Sequence, residues 1–417
     1  MDWLVRSGVN IINNSWGNKQ YMETINGQIN IYGYNEASYY LDFLARKYGI
    51  VSVWSAGNTR DTNISSLNSA KLAQNVVVVG STTLSGKELS KFSEYRSPTS
   101  NIITKPLVVA PGEEYEFFSS SDIKKKLNYK ERGTSFSAPL VTGLISTLFR
   151  NNNHLIGRPE AVLAILTVGS KEIDGYSEKQ SNGLNEKVGA GLVNYELMQE
   201  AANNVQTLTV SDYSKNQYIH LPYLRAGQKL SVSTAWLFDA GYLKNSEYAP
   251  SIPQAPEPKP TLDERWVNMS GISISWTGGY MFTKAEEEKQ KYYKAISIWN
   301  KKQKEYSDGL AKYNEYQNDH SSLNSNKYKN EWNSIEYLKK KYGSDWYIPT
   351  DIDLRIEKLD TESNSWVEIV SSVTFTSNIE FIRREIKEDG QYRIHVSQFK
   401  DNKSKQNTKG AVTYVIQ

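Results

Sequence analysis

The chain has no cysteine among its 417 residues, which excludes disulfides and thiolate metal sites but leaves the cellular compartment open. Histidine is scarce, with only His154, His220, His320 and His395. None of the four stands in a His-Glu-x-x-His arrangement, so metal-dependent hydrolysis has no support. No Gly-rich phosphate loop follows a strand pattern, which removes the usual signature of nucleotide binding. No run of eighteen apolar residues occurs, so no membrane-spanning helix is expected. Charge of one sign is lacking too: a net charge of +3 gives no global field for nucleic acid or an acidic membrane. Met1 to Gly8 carries an acidic second residue and too short an apolar stretch for a signal peptide. Proline is sparse, with five of the 12 falling between Ala249 and Pro260.

What the chain does have is length for two or three domains and a pattern that changes along it. The first region alternates strand and helix signals, the pattern of a parallel sheet with helices on both faces. Val9 to Ile12, Ile50 to Trp54, Asn75 to Gly80 and Leu107 to Ala110 read as buried strands. Glu36 to Tyr48, with Tyr40, Leu41, Leu44 and Tyr48 on one face, reads as a helix. Arg158 to Gly169 reads as another, with Pro159 suited to its first turn. Heavy use of Asn, Lys, Tyr and Ile suggests an AT-rich coding sequence and hence a low-GC bacterium.

The chemistry-bearing segment is Gly133-Thr134-Ser135-Phe136-Ser137-Ala138-Pro139, which sets a serine at the start of an apolar helix running to about Arg150. Upstream, in order, stand Asn14-Ser15-Trp16-Gly17, Ser55-Ala56-Gly57-Asn58 and Val109-Ala110-Pro111-Gly112, and downstream Gly189-Ala190-Gly191-Leu192-Val193-Asn194. With these segments, residues 1–204 resemble the C-terminal two thirds of a subtilisin-like serine peptidase domain. The resemblance implies that Ser135 attacks the scissile carbonyl, while its own N–H and the Asn58 side-chain amide hold the oxyanion. In a subtilisin, loss of that amide donor costs about 2.7–4 kcal/mol. It also implies that Ser15, Trp16 and Gly17 pair with the substrate backbone, opposite a pocket wall of Ser55, Ala56 and Gly57. Small residues leave that pocket open, and a bulky Trp16 between subsites suggests an apolar preference. Plain structural readings stand beside these: Asn58 as a Gly-Asn turn, Trp16 as a core tryptophan, and each histidine as a packing or surface residue.

The family's Asp-Ser/Thr-Gly and His-Gly-Thr-His motifs do not occur. A serine hydroxyl is a weak nucleophile without an adjacent base. Subtilisin itself loses about 2 × 10⁶ in turnover without its histidine. In the family fold the strand matching Val9 to Ile12 is interior, so its outer edge is expected to be unpaired and open to complementation. The expectation is a fragment or one half of a split gene, inactive alone, with a separately encoded N-terminal segment supplying Asp and His.

Residues 205–417 change character. Gln217 to Pro222, Gly227 to Trp236, Asp351 to Glu357 and Gly390 to Val396 alternate as strands and resemble the β-sandwich that follows many subtilase domains. No cofactor is implied beyond calcium, for which Asp351 and Asp353 are the candidates through their family counterparts. An exposed polar strand face is the preferred reading, since hard cations need several converging oxygens. The sandwich pattern is interrupted by an insert: a Pro-rich linker over 249–262, then a helical hairpin over 283–343. In its first arm Tyr292, Ile296, Trp299, Tyr306, Leu310 and Tyr313 form a seam, and in its second Tyr328, Trp332, Ile335, Leu338 and Tyr342 do. The stripe reads as hairpin core, with capture of a protein partner as the alternative.

Two functions follow. One is a secreted or cell-surface subtilisin-like endopeptidase acting on protein or peptide substrates, the location resting on the resemblance. The other is a non-catalytic binding module derived from a subtilase.

Overall fold

In a computed structural model the described residues are 1–17, 23–25, 28–30, 34, 36–58, 67, 69–95, 105–116, 118–119, 122–126, 130–210, 214–238, 253, 255–263, 278–320, 340, 350–400 and 408–417. They divide into two compact units, 1–249 with 320–417 and 250–319, so the expected boundary at 204/205 lies inside one unit.

The first unit opens with α1 (Asp2–Arg6) and β1 (Ile11–Asn14), then a small hairpin of β2 (Glu23–Ile25) and β3 (Gln28–Asn30). Next come α2 (Glu36–Tyr48), β4 (Val51–Ser55), β5 (Val77–Thr82) and β6 (Val108–Pro111), followed by a pair, β7 (Phe118–Ser119) and β8 (Asp122–Lys126). Then follow α3 (Thr134–Asn151), α4 (Pro159–Val168), β9 (Ser170–Lys171), β10 (Leu192–Val193) and α5 (Tyr195–Asn203). The main sheet runs β1-β4-β5-β6-β10-β9, parallel except for β9 against β10. The β-branched runs of β4 and β5 are buried at every position, as strands covered on both faces must be. Among the described residues β1 pairs with β4 alone and stands at the sheet's end.

The rest of this unit is antiparallel. β11 (Gln206–Thr207), β12 (Asn216–His220), β13 (Lys229–Trp236), β14 (Asp351–Asp360), β15 (Ser365–Ser372), β16 (Ile379–Glu385), β17 (Tyr392–Lys400) and β18 (Gly410–Ile416) form two four-stranded sheets, β11-β18-β13-β16 and β12-β17-β14-β15. Inward residues of both, such as Val232, Trp236 and Val412 from one and Leu354, Ile394 and Val396 from the other, share one apolar core.

The α/β region and these sheets are welded together. All ten residues of α4 are buried, and one apolar cluster runs from Val53 and Val79 through Leu163 and Ile165 to Phe381, Ala411 and Val415. Arg383 crosses the same seam: it donates to the Ala190 carbonyl (3.0 Å), the Ser170 carbonyl and Ser231 Oγ (3.3 Å), with its guanidinium over the Phe381 ring. A second tie is Asn75, whose Oδ1 accepts from the Phe238 N–H (2.7 Å) and from Asn378 Nδ2 (3.1 Å). Beneath it Asp42, pushed up to about 7 by burial, accepts from the Gln74 and Asn75 N–H groups and from the Tyr34 hydroxyl.

Asp353 departs from the expected exposed strand face. It is 6% exposed and its Oδ2 is held by Arg355 Nη2 at 2.7 Å, so that carboxylate is engaged by a cation of the chain itself. Among the described residues no cluster of three His, Cys, Asp or Glu is placed to hold a metal ion.

The second unit contains α6 (Gly278–His320), which begins before the expected first arm of the hairpin. The second arm, Tyr328 to Tyr342, lies outside the described residues. Part of the Pro-rich segment lies along α6: Trp299 Nε1 donates to the Glu257 carbonyl (2.8 Å), and Pro253 lies so close to Gly309 that an added Cβ would meet it at 3.1 Å. Ten helical residues rise about 15 Å and four extended proline-type residues about 12 Å. The two chains therefore keep step, antiparallel, between those contacts. Among the described residues no helix is long and apolar enough to cross a membrane.

Candidate active site

Two loops leave the carboxyl ends of adjacent parallel strands: Ser15-Trp16-Gly17 follows β1, and Ala56-Gly57-Asn58 follows β4, which ends at Ser55. That end of an open α/β sheet is where its crevice lies. The start of α3 is brought to the same place. The Gly133 N–H donates to the Gly112 carbonyl (2.8 Å) and Ser137 Oγ to the Pro111 carbonyl (3.2 Å), tying the helix to the turn after β6. Only glycine fits at 112, because an added Cβ would stand 2.8 Å from the Gly133 carbonyl and 2.3 Å from Ser137 Oγ and Ser81 Oγ.

The structure brings Ser135, Asn58 and Ser15 together. Ser135 Oγ donates to the Ser15 carbonyl (3.3 Å), while Ser15 Oγ donates to the Ser135 carbonyl (3.0 Å). Asn13 steadies Ser15 through Nδ2 (3.0 Å) and accepts from Thr142 Oγ1 of α3 (3.1 Å). Asn58 is oriented by the helix start: its Oδ1 accepts from the Thr134 N–H (2.8 Å) and from Thr134 Oγ1 (2.9 Å), and that hydroxyl in turn accepts from the Gly57 N–H (3.0 Å). Fixing Oδ1 on two donors settles the amide's orientation, so its NH₂ is the end left to donate. The Ser135 N–H belongs to the first turn of α3, where backbone donors have no intrahelical partner and the helix dipole favours negative charge. The Ser135 N–H and the Asn58 amide thus both stand at the start of α3.

Trp16 is 59% exposed and tilts over Trp54 at 5.0 Å, so it is not a core tryptophan. Ser55 and Ala56 are buried, and Gly57 has φ +127 with the Glu94 carboxyl where a Cβ would be. Among the described side chains no histidine joins the cluster. His395 Nδ1 meets Glu357 Oε1 (2.8 Å) and its Nε2 meets Asn216 Oδ1 (2.8 Å), both in the antiparallel region. His220 stands edge-on to Trp366, also there. His154 follows the far end of α3, roughly 24 Å along the helix axis from Ser135 by helical rise. The side chain of His320 lies outside the described residues.

Residues 1–191 match the model described as the subtilase family. This region of the chain is similar to that family. Among solved structures, the chain is similar to one titled PatG macrocyclase in complex with peptide, at 20% identity over 48% of this chain and 54% of that one, with a TM-score of 0.35. The chain thus spans about half the length of that structure. It is also similar to a protein from Sulfurospirillum deleyianum, at 8% identity over 51% of this chain and 98% of that one, with a TM-score of 0.20. No curated protein matches the chain.

Thr134 and Lys71 are the site residues that motif reading passes over. Thr134 stands inside Gly-Thr-Ser and could have been found from its place at the helix start. Lys71 has no local signal, because its ammonium reaches the Ala56 carbonyl (2.5 Å) from a 3₁₀ turn fifteen residues later.

Proposed function

We propose that the subtilase region carries the nucleophile and oxyanion half of a serine endopeptidase acting on protein or peptide substrates. The observation that supports this most is the relay from the Gly57 N–H through Thr134 Oγ1 to Asn58 Oδ1, which turns the Asn58 amide into a fixed donor beside Ser135. In the reaction Ser135 Oγ bonds to the scissile carbon, and the electron pair displaced onto the carbonyl oxygen is held by Asn58 Nδ2 and the Ser135 N–H. Preorganised donors of this kind act where charge develops and cost no reorganisation. Ser15 to Gly17 would add the substrate backbone as a strand, with Ser55 to Gly57 as the facing wall.

The hydroxyl proton needs a base, and among the described residues Ser135 Oγ meets only a carbonyl. β1 is where that base would enter. Its outer edge is unpaired among the described residues, and Ser15, the residue touching Ser135, directly follows it. Strands lie about 4.8 Å apart, so a parallel strand laid beside β1 ends next to Ser15 and within reach of Ser135. A separately encoded segment carrying Asp and His is the partner that fits. Leu140 of α3 is 42% exposed and Gly143 has open space above it, so that helix also offers an uncovered face. Secretion or surface display by a bacterium completes the reading. The second reading, a binding module without hydrolysis, draws on the same carbonyl contact of Ser135.

The test is fluorophosphonate labelling of the folded chain, with the modified residue located by mass spectrometry and Ser135→Ala as control. Labelling confined to Ser135, and raised by a segment supplying Asp and His, is the expected result. A folded chain that stays unlabelled with every such segment would leave the binding module.

A further inference from the structure

Between Ser15–Gly17 and Ser55–Gly57, the two walls of the proposed cleft, lies one buried cation. Lys71 is 8% exposed and donates to the carbonyl of Ala56 in one wall. The same nitrogen stands 3.5 Å from where a Cβ on Gly17, in the other wall, would be. The ammonium therefore spans the gap between the two segments. An ammonium carries three donors, and Ala56 takes one. Among the described residues no carboxylate lies within ion-pairing distance of it. Glu94, also 8% exposed, sits behind Gly57, its carboxyl carbon 2.4 Å from the position of an added Cβ and its N–H on the Gly57 carbonyl (3.1 Å). Burial lowers the lysine's pKa, and the nearby Glu94 charge offsets part of that.

We infer that Lys71 is the recognition group of the primary pocket and selects substrate side chains that end in an oxygen acceptor, glutamine or glutamate, over apolar ones of the same length. This rests on the cleft being a substrate cleft, as proposed above, and replaces the apolar preference expected from Trp16. The physical reason is asymmetric. An apolar side chain seated over Lys71 strips water from donors that it cannot satisfy, whereas an oxygen acceptor replaces that water. At 17 an added Cβ would only touch Lys71, at 3.5 Å, whereas at 57 it would clash with the Glu94 carboxyl at 2.4 Å.

The test uses the full chain and four N-acetylated tetrapeptide amides that differ only in the residue meant for this pocket: Gln, Glu, Met or Leu. Binding is read by isothermal titration calorimetry, which needs no turnover. The Gln and Glu peptides are expected to bind about tenfold tighter than Met, the scale of one hydrogen bond to a charged group. Lys71→Met should abolish that difference. Met or Leu binding as tightly as Gln on the unsubstituted chain would overturn the inference without any variant. So would a preference for Gln that survives in Lys71→Met. If a folded chain binds none of the four, the substrate-cleft reading itself fails and takes this inference with it.

Discussion

Two helices of this chain solve burial in opposite ways. α4 has ten residues and every one is buried, while α6 has 43 and none of its described side chains reaches full burial. A helix that is apolar on all sides reports enclosure on all sides. For α4 that means α5 together with β13, β16 and β18. α6 instead carries a half-buried stripe on a charged rod, and its described neighbours at Trp299 and Gly309 come from the Pro-rich segment. The contrast teaches where stability resides. α4 makes the subtilase region and the antiparallel sheets one cooperative body, whereas α6 belongs to a unit whose loss the rest should survive.

The largest test of that contrast is Ile165→Ala in α4, expected to cost about 2–5 kcal/mol, the range for truncating a buried aliphatic side chain. Denaturant unfolding should show the α/β region and the sheets falling in a single transition; separate transitions would break the comparison. Arg383→Met removes donors from the Ala190 and Ser170 carbonyls at the same seam and should cost about 2–3 kcal/mol, read as a lower denaturation midpoint.

Glu380 sharpens the picture through pH. It is fully buried and accepts from Ser372 Oγ; burial, reinforced by Asp353 and Asp351, raises its pKa well above 4.5. An acid whose folded pKa is raised contributes stability at low pH and loses it as pH climbs from 4.5 toward the folded value. Glu380→Gln should therefore match the parent below pH 4.5 and become the more stable of the two as pH rises, in melting curves taken across that range. The smallest effect belongs to α6: Trp299→Phe loses one exposed hydrogen bond to Glu257 and should cost about 1 kcal/mol or less. The loss should appear as early fraying of helical circular dichroism, with the main transition unmoved.

The subtilase half was legible because its signals are local. Apolar periodicity alone bounds α2 at Glu36–Tyr48, and Pro159 marks the first turn of α4. The serine of Gly-Thr-Ser falls at a helix start, with Gly133 as the N-cap and Thr134 opening the helix before the apolar run. What escaped reading depends on neighbours distant in sequence. Trp16 is as apolar as a core residue, yet its place beyond the end of β1 exposes it. Asp353 alternates as an outward residue should, yet Arg355 closes over it. β16 hides because Glu380 and Phe381 are both buried, one against Ser372 and the other in the core shared with α4, so no period of two survives. Lys71 could not be assigned to the cleft from spacing, since only the folded chain sets it between Gly17 and Ala56.

On the function proposed, Ser135 and Asn58 form a preorganised half-site that, among the described residues, is without a base. A peptidyl boronic acid tests this directly, because its boron becomes tetrahedral when a serine oxygen adds and the oxyanion donors receive it. With imidazole added as the base that takes the Ser135 proton, boron NMR of the folded chain should show the tetrahedral signal, weakened by Asn58→Ala and absent in Ser135→Ala. A boron that stays trigonal at saturating inhibitor on the unsubstituted chain would contradict the account.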